Sequence, residues 1–325
     1  MTFSRIGLAA GDPGGVGPEI VVKTLARPDL LPPAVYVLFV DPAVIAAEER
    51  RLGLRLALSP WPPAAPRNEA GLFLQPVAGP GPADLGLVTA GNGQASFRAF
   101  EAAVSEARAG RLEAIVTAPV SKAAWALAGL PYRGHTDYLA ALYPGAIMTF
   151  WSDRLRVALF SHHRPLKEAV AAVRKGPLLE FFRSLHRCLG RVPGGPYRLL
   201  AAGLNPHAGE DGGLGREETE EIGPAVRQAA AEGIPVSGPF PPDVVFRKAL
   251  GRPDAVVVAL YHDQGLIAFK LEAFAAGVNA TLGLPFIRTS PDHGTAFDIA
   301  GRGLADPGSM GEAVRLAAAF SATGS

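Results

Sequence analysis

Short apolar runs alternate along this chain with longer stretches whose apolar residues recur every three or four positions. The runs Arg5–Ala9, Val35–Val40, Ala114–Thr117, Met148–Phe150, Leu155–Phe160, Arg198–Gly203 and Ala255–Leu260 are short and almost continuously apolar. That is the pattern of strands buried on both faces. The stretches Pro18–Ala26, Ala95–Ala109, Gly176–Leu189, Glu217–Ala231 and Ser309–Phe320 carry the helical period. The alternation predicts an α/β fold with largely parallel sheets covered by helices. Residues 59–84 break the pattern with a Pro-, Gly- and Ala-rich stretch, which predicts an irregular connection with a short strand at Gly71–Gln75. A domain boundary fits there or near "YRGHTD" after residue 130.

Length and charge narrow the possibilities. A chain of 325 residues suggests about two domains and can bury large cores. Its net charge of +1, without a basic run, argues against nucleic-acid or anionic-membrane partners. The single cysteine, Cys188, excludes an internal disulfide framework and fits a reducing compartment. The first residues hold too short an apolar stretch for a signal peptide, and no segment approaches the ~18 apolar residues of a membrane helix. A cytoplasmic protein is expected. Lysine is scarce, yet Lys122 and Lys270 both fall inside the motifs below.

The chemistry concentrates where apolar runs end. His163 in "FSHHRPL", His207 in "AGLNPHAGEDGG" and His262 in "VVVALYHDQG" each follow such a run. Ligands of open α/β sheets bind at the carboxyl ends of strands. Imidazole is the commonest protein ligand for zinc and its neighbours. Any one of the three is compatible with a hydrogen-bonded loop histidine; the set points to an open catalytic metal site. "GDPGGVGPEI" at Gly11–Ile20 reads as a strand-to-helix turn allowing close backbone approach, but matches neither the phosphate loop nor the dinucleotide fingerprint. "GNGQAS" at Gly91–Ser96 reads as a helix start. In "VTAPVSKAAW", Ser121 suits an N-cap and Lys122 can hold an anion. In "GHTDYLA", His135, Thr136 and Asp137 open a helix whose free N–H groups favour an anion. The stretch from His262 to Gly301 strings together Asp263, Lys270, Asn279, Arg288, Asp292, His293 and Asp298. Arg288 follows the strand-like "GLPFI", which would put its guanidinium at a strand end, suited to carboxylate or phosphate.

The segments "GDPGGVGPEI", "TAPVSK", "GHTDYLA", "NPHAGEDGGLGREE", "GPFPPD", "YHDQGLIAFK" and "GLPFIRTSPDHGTAFDIAG" resemble the 4-hydroxythreonine-4-phosphate dehydrogenase family of pyridoxal phosphate biosynthesis, in order from Gly11 to Gly301. A looser likeness reaches the isocitrate and isopropylmalate dehydrogenases. The resemblance implies two α/β/α domains of the isopropylmalate-dehydrogenase type, with the active site in the interdomain cleft. We expect a first, discontinuous domain at 1–133 plus 275–325 and a second at 134–274 carrying the metal histidines. It implies one divalent metal per subunit (zinc, magnesium or cobalt) on His163, His207 and His262. Alignment on "PL" in "SHHRPL" selects His163 over its neighbour His162. It implies substrate contacts from His135, Thr136, Lys270, Asn279 and Arg288, and NAD or NADP near Asp292, His293, Gly294 and Thr295. It implies a homodimer with shared active sites; we expect His163 to be the cross-subunit donor.

The implied reaction is oxidation of 4-phosphooxy-L-threonine by NAD, followed by decarboxylation to 3-amino-2-oxopropyl phosphate. The phosphate is expected at the His135–Thr136 helix start and the carboxylate at Lys270 and Arg288, or the reverse; Lys270 is also a candidate catalytic group. Asp263 or Asp243 is expected to orient a ligand or act as base. The absence of a basic cluster in "DHGTAFDIAG" predicts that NAD serves at least as well as NADP. Other readings are a dehydrogenase of threonate or erythronate 4-phosphate, a phosphate acyltransferase of related fold, and a non-catalytic anion-binding module.

Overall fold

The computed structural model describes residues 2–27, 29, 31–62, 69–79, 83–274 and 276–322. The chain divides into two compact units: Met1–Pro144 with Leu284–Ser325, and Gly145–Gly283. Unit 1 begins with β1 (Arg5–Ala9), α1 (Gly17–Leu25), β2 (Val35–Val40), α2 (Pro42–Leu52), β3 (Ser59–Pro60), β4 (Gly71–Pro76), α3 (Ala90–Arg108), β5 (Ala114–Thr117), α4 (Lys122–Leu127) and α5 (His135–Leu142). Unit 2 holds β6 (Ile147–Trp151), β7 (Arg156–Leu159), α6 (Leu166–Ala172), α7 (Lys175–Leu189), β8 (Arg198–Ala202), α8 (Gly223–Ala231), β9 (Val236–Phe240), α9 (Pro242–Ala249), β10 (Ala255–Ala259), α10 (His262–Ala273) and β11 (Val278–Leu282). The chain then returns to unit 1 with β12 (Ile287–Pro291) and α11 (Gly308–Ser321).

In unit 1 the strands run β3-β4-β2-β1-β5-β12, and every pairing is parallel. Parallel neighbours need crossover connections; α1 supplies the one from β1 to β2, and α3 carries the chain from β4 across to β5. Every residue of β1, β2 and β5 is buried, so both faces of this sheet are covered. In unit 2 the order is β11-β6-β7-β10-β8-β9. Here β11, β6 and β7 pair antiparallel, while β7, β10, β8 and β9 pair parallel. A core of Val157, Leu159, Val257, Ala259, Leu266 and Phe269 packs α10 against β7 and β10.

The structure corrects several expectations. Both unit boundaries lie further along the chain than expected, and Ala275, the expected second boundary, lies outside the described residues. His135 and Thr136 therefore belong to unit 1, because the His135 ring packs on Phe100 and Trp125, which anchor that unit's core. Asn279 belongs to unit 2, because β11 pairs with β6. "GLPFI" is not itself a strand. β12 starts at Ile287, and Arg288 sits inside it, paired with Ile115 of β5. The expected helix Glu217–Ala231 opens instead with a π-helical turn, Glu218–Ile222. Of the irregular connection at 59–84, residues 63–68 and 80–82 lie outside the described residues; β3 and β4 fall within the rest. No helix among the described residues is long and apolar enough to cross a membrane.

Candidate active site

Unit 1 brings together three loops read separately in the sequence. The turn after β1 is held against the turn after β5: Asp12 N donates to Pro119 O at 2.9 Å. Gly11 has φ +77, and a Cβ there would lie 2.4 Å from Pro119 O, so the approach requires glycine. The same turn meets the stretch expected to hold the cofactor, since Val16 N donates to Thr295 O at 2.9 Å. A Cβ on Gly15 would lie 2.5 Å from that oxygen. Asp292 N donates to Ser309 Oγ at the start of α11, while His293 and Gly294 are exposed.

Asp12 was not singled out from the sequence. It is fully buried, Gly14 N donates to its Oδ1 at 2.9 Å, and its Oδ2 has no hydrogen-bond partner. Burial pushes its carboxyl up to about 6, against the opposing pull of the Gly14 and Ser121 backbone N–H groups.

Arg288 projects from β12 into the interior, only 3% exposed. Its Nη2 donates to Thr117 Oγ1 at 2.8 Å, and it lies 3.3 Å from His135 Nδ1. A guanidinium has no acceptor, so Nδ1 must be the accepting nitrogen. His135 Nε2 then carries the hydrogen, and that buried atom has no hydrogen-bond partner. Burial first, and Arg288 second, hold the imidazole's pKa well below the usual histidine value. Burial lowers Arg288 to about 10, so it stays cationic at neutral pH. His135 is the first residue of α5, after Gly134 at φ +145. Lys122, first residue of α4, passes beside that helix start; its Cγ lies 3.9 Å from the position a Gly134 Cβ would take. Ser121 caps α4 as expected, accepting from Ala124 N at 3.1 Å. A helix start, a neutral N–H donor and the Arg288 guanidinium, with the Lys122 side chain alongside, are groups of the kind that suit an anion.

Unit 2 places the three histidines after three neighbouring parallel strands. His163 follows β7, His262 follows β10 and His207 follows β8. The rings of His163 and His262 are 5.6 Å apart by centroid, and His162 lies 5.6 Å from His163. Among the described residues no three His, Cys, Asp or Glu side chains of the one chain converge to hold a metal ion. His163 and His262 thus neighbour each other within one chain.

The donor chemistry fits a divalent metal. Asp263 Oδ1 lies 2.7 Å from His262 Nδ1, and a proton held there leaves the Nε2 lone pair available for ligation. His162 is held below the ordinary histidine range, by burial first and by Arg164 and His262 after it.

His207 sits on unusual backbone. Residues His207 to Asp211 all have φ between +43 and +82, a left-handed turn. Such geometry costs about 1–2 kcal/mol for each non-glycine residue. Asp243 is exposed in the first turn of α9. Lys270 is exposed on α10, and Asn279 Oδ1 is buried with no hydrogen-bond partner.

Fold and side chains thus define a class: a two-unit α/β protein with a buried arginine–histidine pair and a set of histidines at neighbouring strand ends. The chain belongs to the family described as pyridoxal phosphate biosynthetic protein PdxA, whose pattern it matches over residues 34–317. It is 43% identical over 316 residues to 4-hydroxythreonine-4-phosphate dehydrogenase of Chromobacterium violaceum, covering 96% of this chain and 95% of that protein. The crystal structure of 4-hydroxythreonine-4-phosphate dehydrogenase from Klebsiella pneumoniae superposes with a TM-score of 0.85 at 37% identity, covering 98% of this chain and 99% of that one. A terephthalate 1,2-cis-dihydrodiol dehydrogenase from Burkholderia xenovorans is also similar, with a TM-score of 0.68 at 30% identity and coverage of 97% and 98%.

Proposed function

We propose that this oxidoreductase uses NAD to oxidise the secondary hydroxyl of 4-phosphooxy-L-threonine, and that the resulting β-keto acid loses carbon dioxide to give 3-amino-2-oxopropyl phosphate for pyridoxine 5′-phosphate synthesis. The names of its full-length relatives support the reaction. The observation that carries the phosphate is the unpartnered, buried His135 Nε2–H beside Arg288 at the start of α5. A substrate with no acceptor at that position would leave the donor unsatisfied, at a cost of about 1–3 kcal/mol.

The residues divide the work. His135, the α5 start with Thr136, Arg288 and Lys122 take the phosphate. Lys270 takes the carboxylate. Asn279 Oδ1, an acceptor without a partner, suits the substrate ammonium. His163, His207 and His262 hold one divalent metal (zinc, magnesium or cobalt), which supplies Lewis acidity at the oxygen being oxidised. Asp263 holds His262 in the ligating tautomer, leaving Asp243 as the candidate base. NAD lies against Asp292 to Thr295. NAD serves at least as well as NADP, since the nearby Arg288 is buried and engaged with Thr117 and His135.

We also propose a homodimer that completes the metal site, with His163 and His262 from one chain and His207 from the other. The helix that begins at His262 supports this. Ile267, Leu271 and Phe274 of that segment are 64%, 85% and 80% exposed and form one apolar stripe at helical spacing.

The test is to incubate the pure protein with NAD, each metal in turn and 4-phosphooxy-L-threonine, following reduced-cofactor absorbance and carbon dioxide release together. Equal yields of both support the reading. Turnover of threonate or erythronate 4-phosphate alone would replace the substrate. Turnover of an unphosphorylated cis-diol alone would remove the phosphate role of His135.

A further inference from the structure

Glu218 is a carboxylate only 3% exposed, and none of the roles above uses it. Its partners are the N–H groups at the start of the turn that bears His207. Leu204 N and Asn205 N both donate to its Oε1 at 2.7 Å, and Asn205 Nδ2 donates to its Oε2 at 2.8 Å. The same Oε2 lies 2.7 Å from where a Cβ on Gly209 would be. Gly209 is the middle residue of the left-handed turn, so the carboxylate touches the turn at its start and at its centre. Four of the five turn residues are not glycine and do not adopt this backbone on their own account. Something outside the turn must hold it.

Two further features converge there. Glu218 opens the π-helical turn Glu218–Ile222. Such turns frequently occur at functional sites. The start of the loop is also tied to the strand end that carries His262. Gln264 Nε2 donates to Gly203 O at 2.8 Å, and Leu260 N donates to Gln264 Oε1 at 2.7 Å.

We infer that Glu218 is a positioning residue for the metal ligand His207, acting through the left-handed turn that carries that histidine. The inference rests on the metal role proposed above for His207. Glu218 binds no substrate; it fixes where the imidazole is presented, and the ring nitrogen then meets the metal without first reorganising five backbone residues.

The test is cobalt(II) affinity of the intact protein, by competition with a chromogenic chelator, together with the cobalt absorption spectrum. Glu218→Gln fills the same space and keeps an acceptor for Leu204 and Asn205 N–H, but sets an amide NH₂ against Asn205 Nδ2. Outer groups that orient ligands typically contribute roughly 10–100-fold to metal affinity. We expect Glu218→Gln to remain folded, to bind cobalt about tenfold or more weakly with an altered spectrum, and to bind NAD as the wild type does. Wild-type cobalt affinity in Glu218→Gln overturns the inference. So does loss of the fold, which would make Glu218 a general structural residue. His207→Ala separates the two levels. If it keeps wild-type cobalt affinity, the metal reading fails and the Glu218 role falls with it. If it loses cobalt while Glu218→Gln does not, only the Glu218 role fails.

Discussion

In unit 1, Arg288, Thr117 and His135 meet inside one chain, each on a regular element: β12, the end of β5 and the start of α5. In unit 2, His163 and His262 meet, but His207 stands on a left-handed turn, and among the described residues no three-ligand group forms. The Arg288–Thr117–His135 group is assembled by folding alone. The histidine set is arranged at neighbouring strand ends, and by our proposal a metal and a second chain close it. A buried cation such as Arg288 must have its partners when the core forms, since an unsatisfied charge there is costly. Imidazoles at half-exposed strand ends do not have to be fully partnered when the core forms.

The sharpest way to break this comparison is to remove ligands. Outer-shell losses cost 10–100-fold, so His207→Ala and His262→Ala should each lower metal affinity and activity by more than about a hundredfold, with little loss of fold. Mixed dimers test the sharing. With His163 and His262 on one chain, combining His207→Ala with His262→Ala should restore roughly a quarter of wild-type activity after subunit exchange. Combining His163→Ala with His262→Ala should restore none. The opposite pattern would return His163 to the role of cross-subunit donor.

On the unit 1 side, Arg288→Lys keeps the charge but loses the planar fork that meets Thr117 and His135. A charge-assisted hydrogen bond contributes about 1.5–3 kcal/mol, so the KM for the phosphorylated substrate should rise roughly ten- to hundredfold. An unchanged KM would remove Arg288 from substrate binding.

Asp12 tests the cost of a finished interior. Its carboxyl stands at about 6 when folded, against 3.8 as the ordinary value. The folded protein therefore binds more protons than the unfolded chain between those values. Stability from this group is fully present below about pH 3.8 and is lost as pH rises through 6. Asp12→Asn keeps the acceptor for Gly14 N and removes the charge. It should be more stable than wild type at pH 8 by on the order of 2–3 kcal/mol, with no advantage at pH 4, as read from denaturant midpoints. A constant difference across pH would contradict the burial of an ionised carboxylate.

The smallest effect is expected from His162. Its ring neighbours His163 and is not assigned a ligand position. His162→Ala should change activity by less than about threefold, against the much larger loss of His163→Ala. The reverse order would shift the ligand by one residue.

Much of this was legible in the sequence, for a local reason. Strands such as Val35–Val40 and Ala255–Ala259 announce themselves because each is a short apolar run buried on both faces. His163, His207 and His262 were visible as polar groups abutting such runs, His135 as the opening of a helix, and Arg288 as part of a motif. β9, with its glycine and proline, and β11, with its asparagine and threonine, were not, because their composition hides the period. The helix beginning at His262 also went unread, since its apolar residues lie on every side. Glu218 looked like one more acid in "GREETEE"; its meaning depends on Leu204 and Asn205, whose approach only the folded loop reveals. Asp12 sat inside a recognised motif, yet its burial is a property of the three loops around it.

The tautomer of His135 has a consequence for how the proposed phosphate site would read its ligand. The ring donates a hydrogen bond while carrying no charge, and Arg288 keeps its charge throughout the neutral range. The protein's side of the recognition is therefore constant in that range, while the ligand's is not. A phosphate monoester takes its second negative charge near pH 6. Substrate affinity should follow the ionisation of the phosphate itself, so that the ligand titrates and the receptor does not.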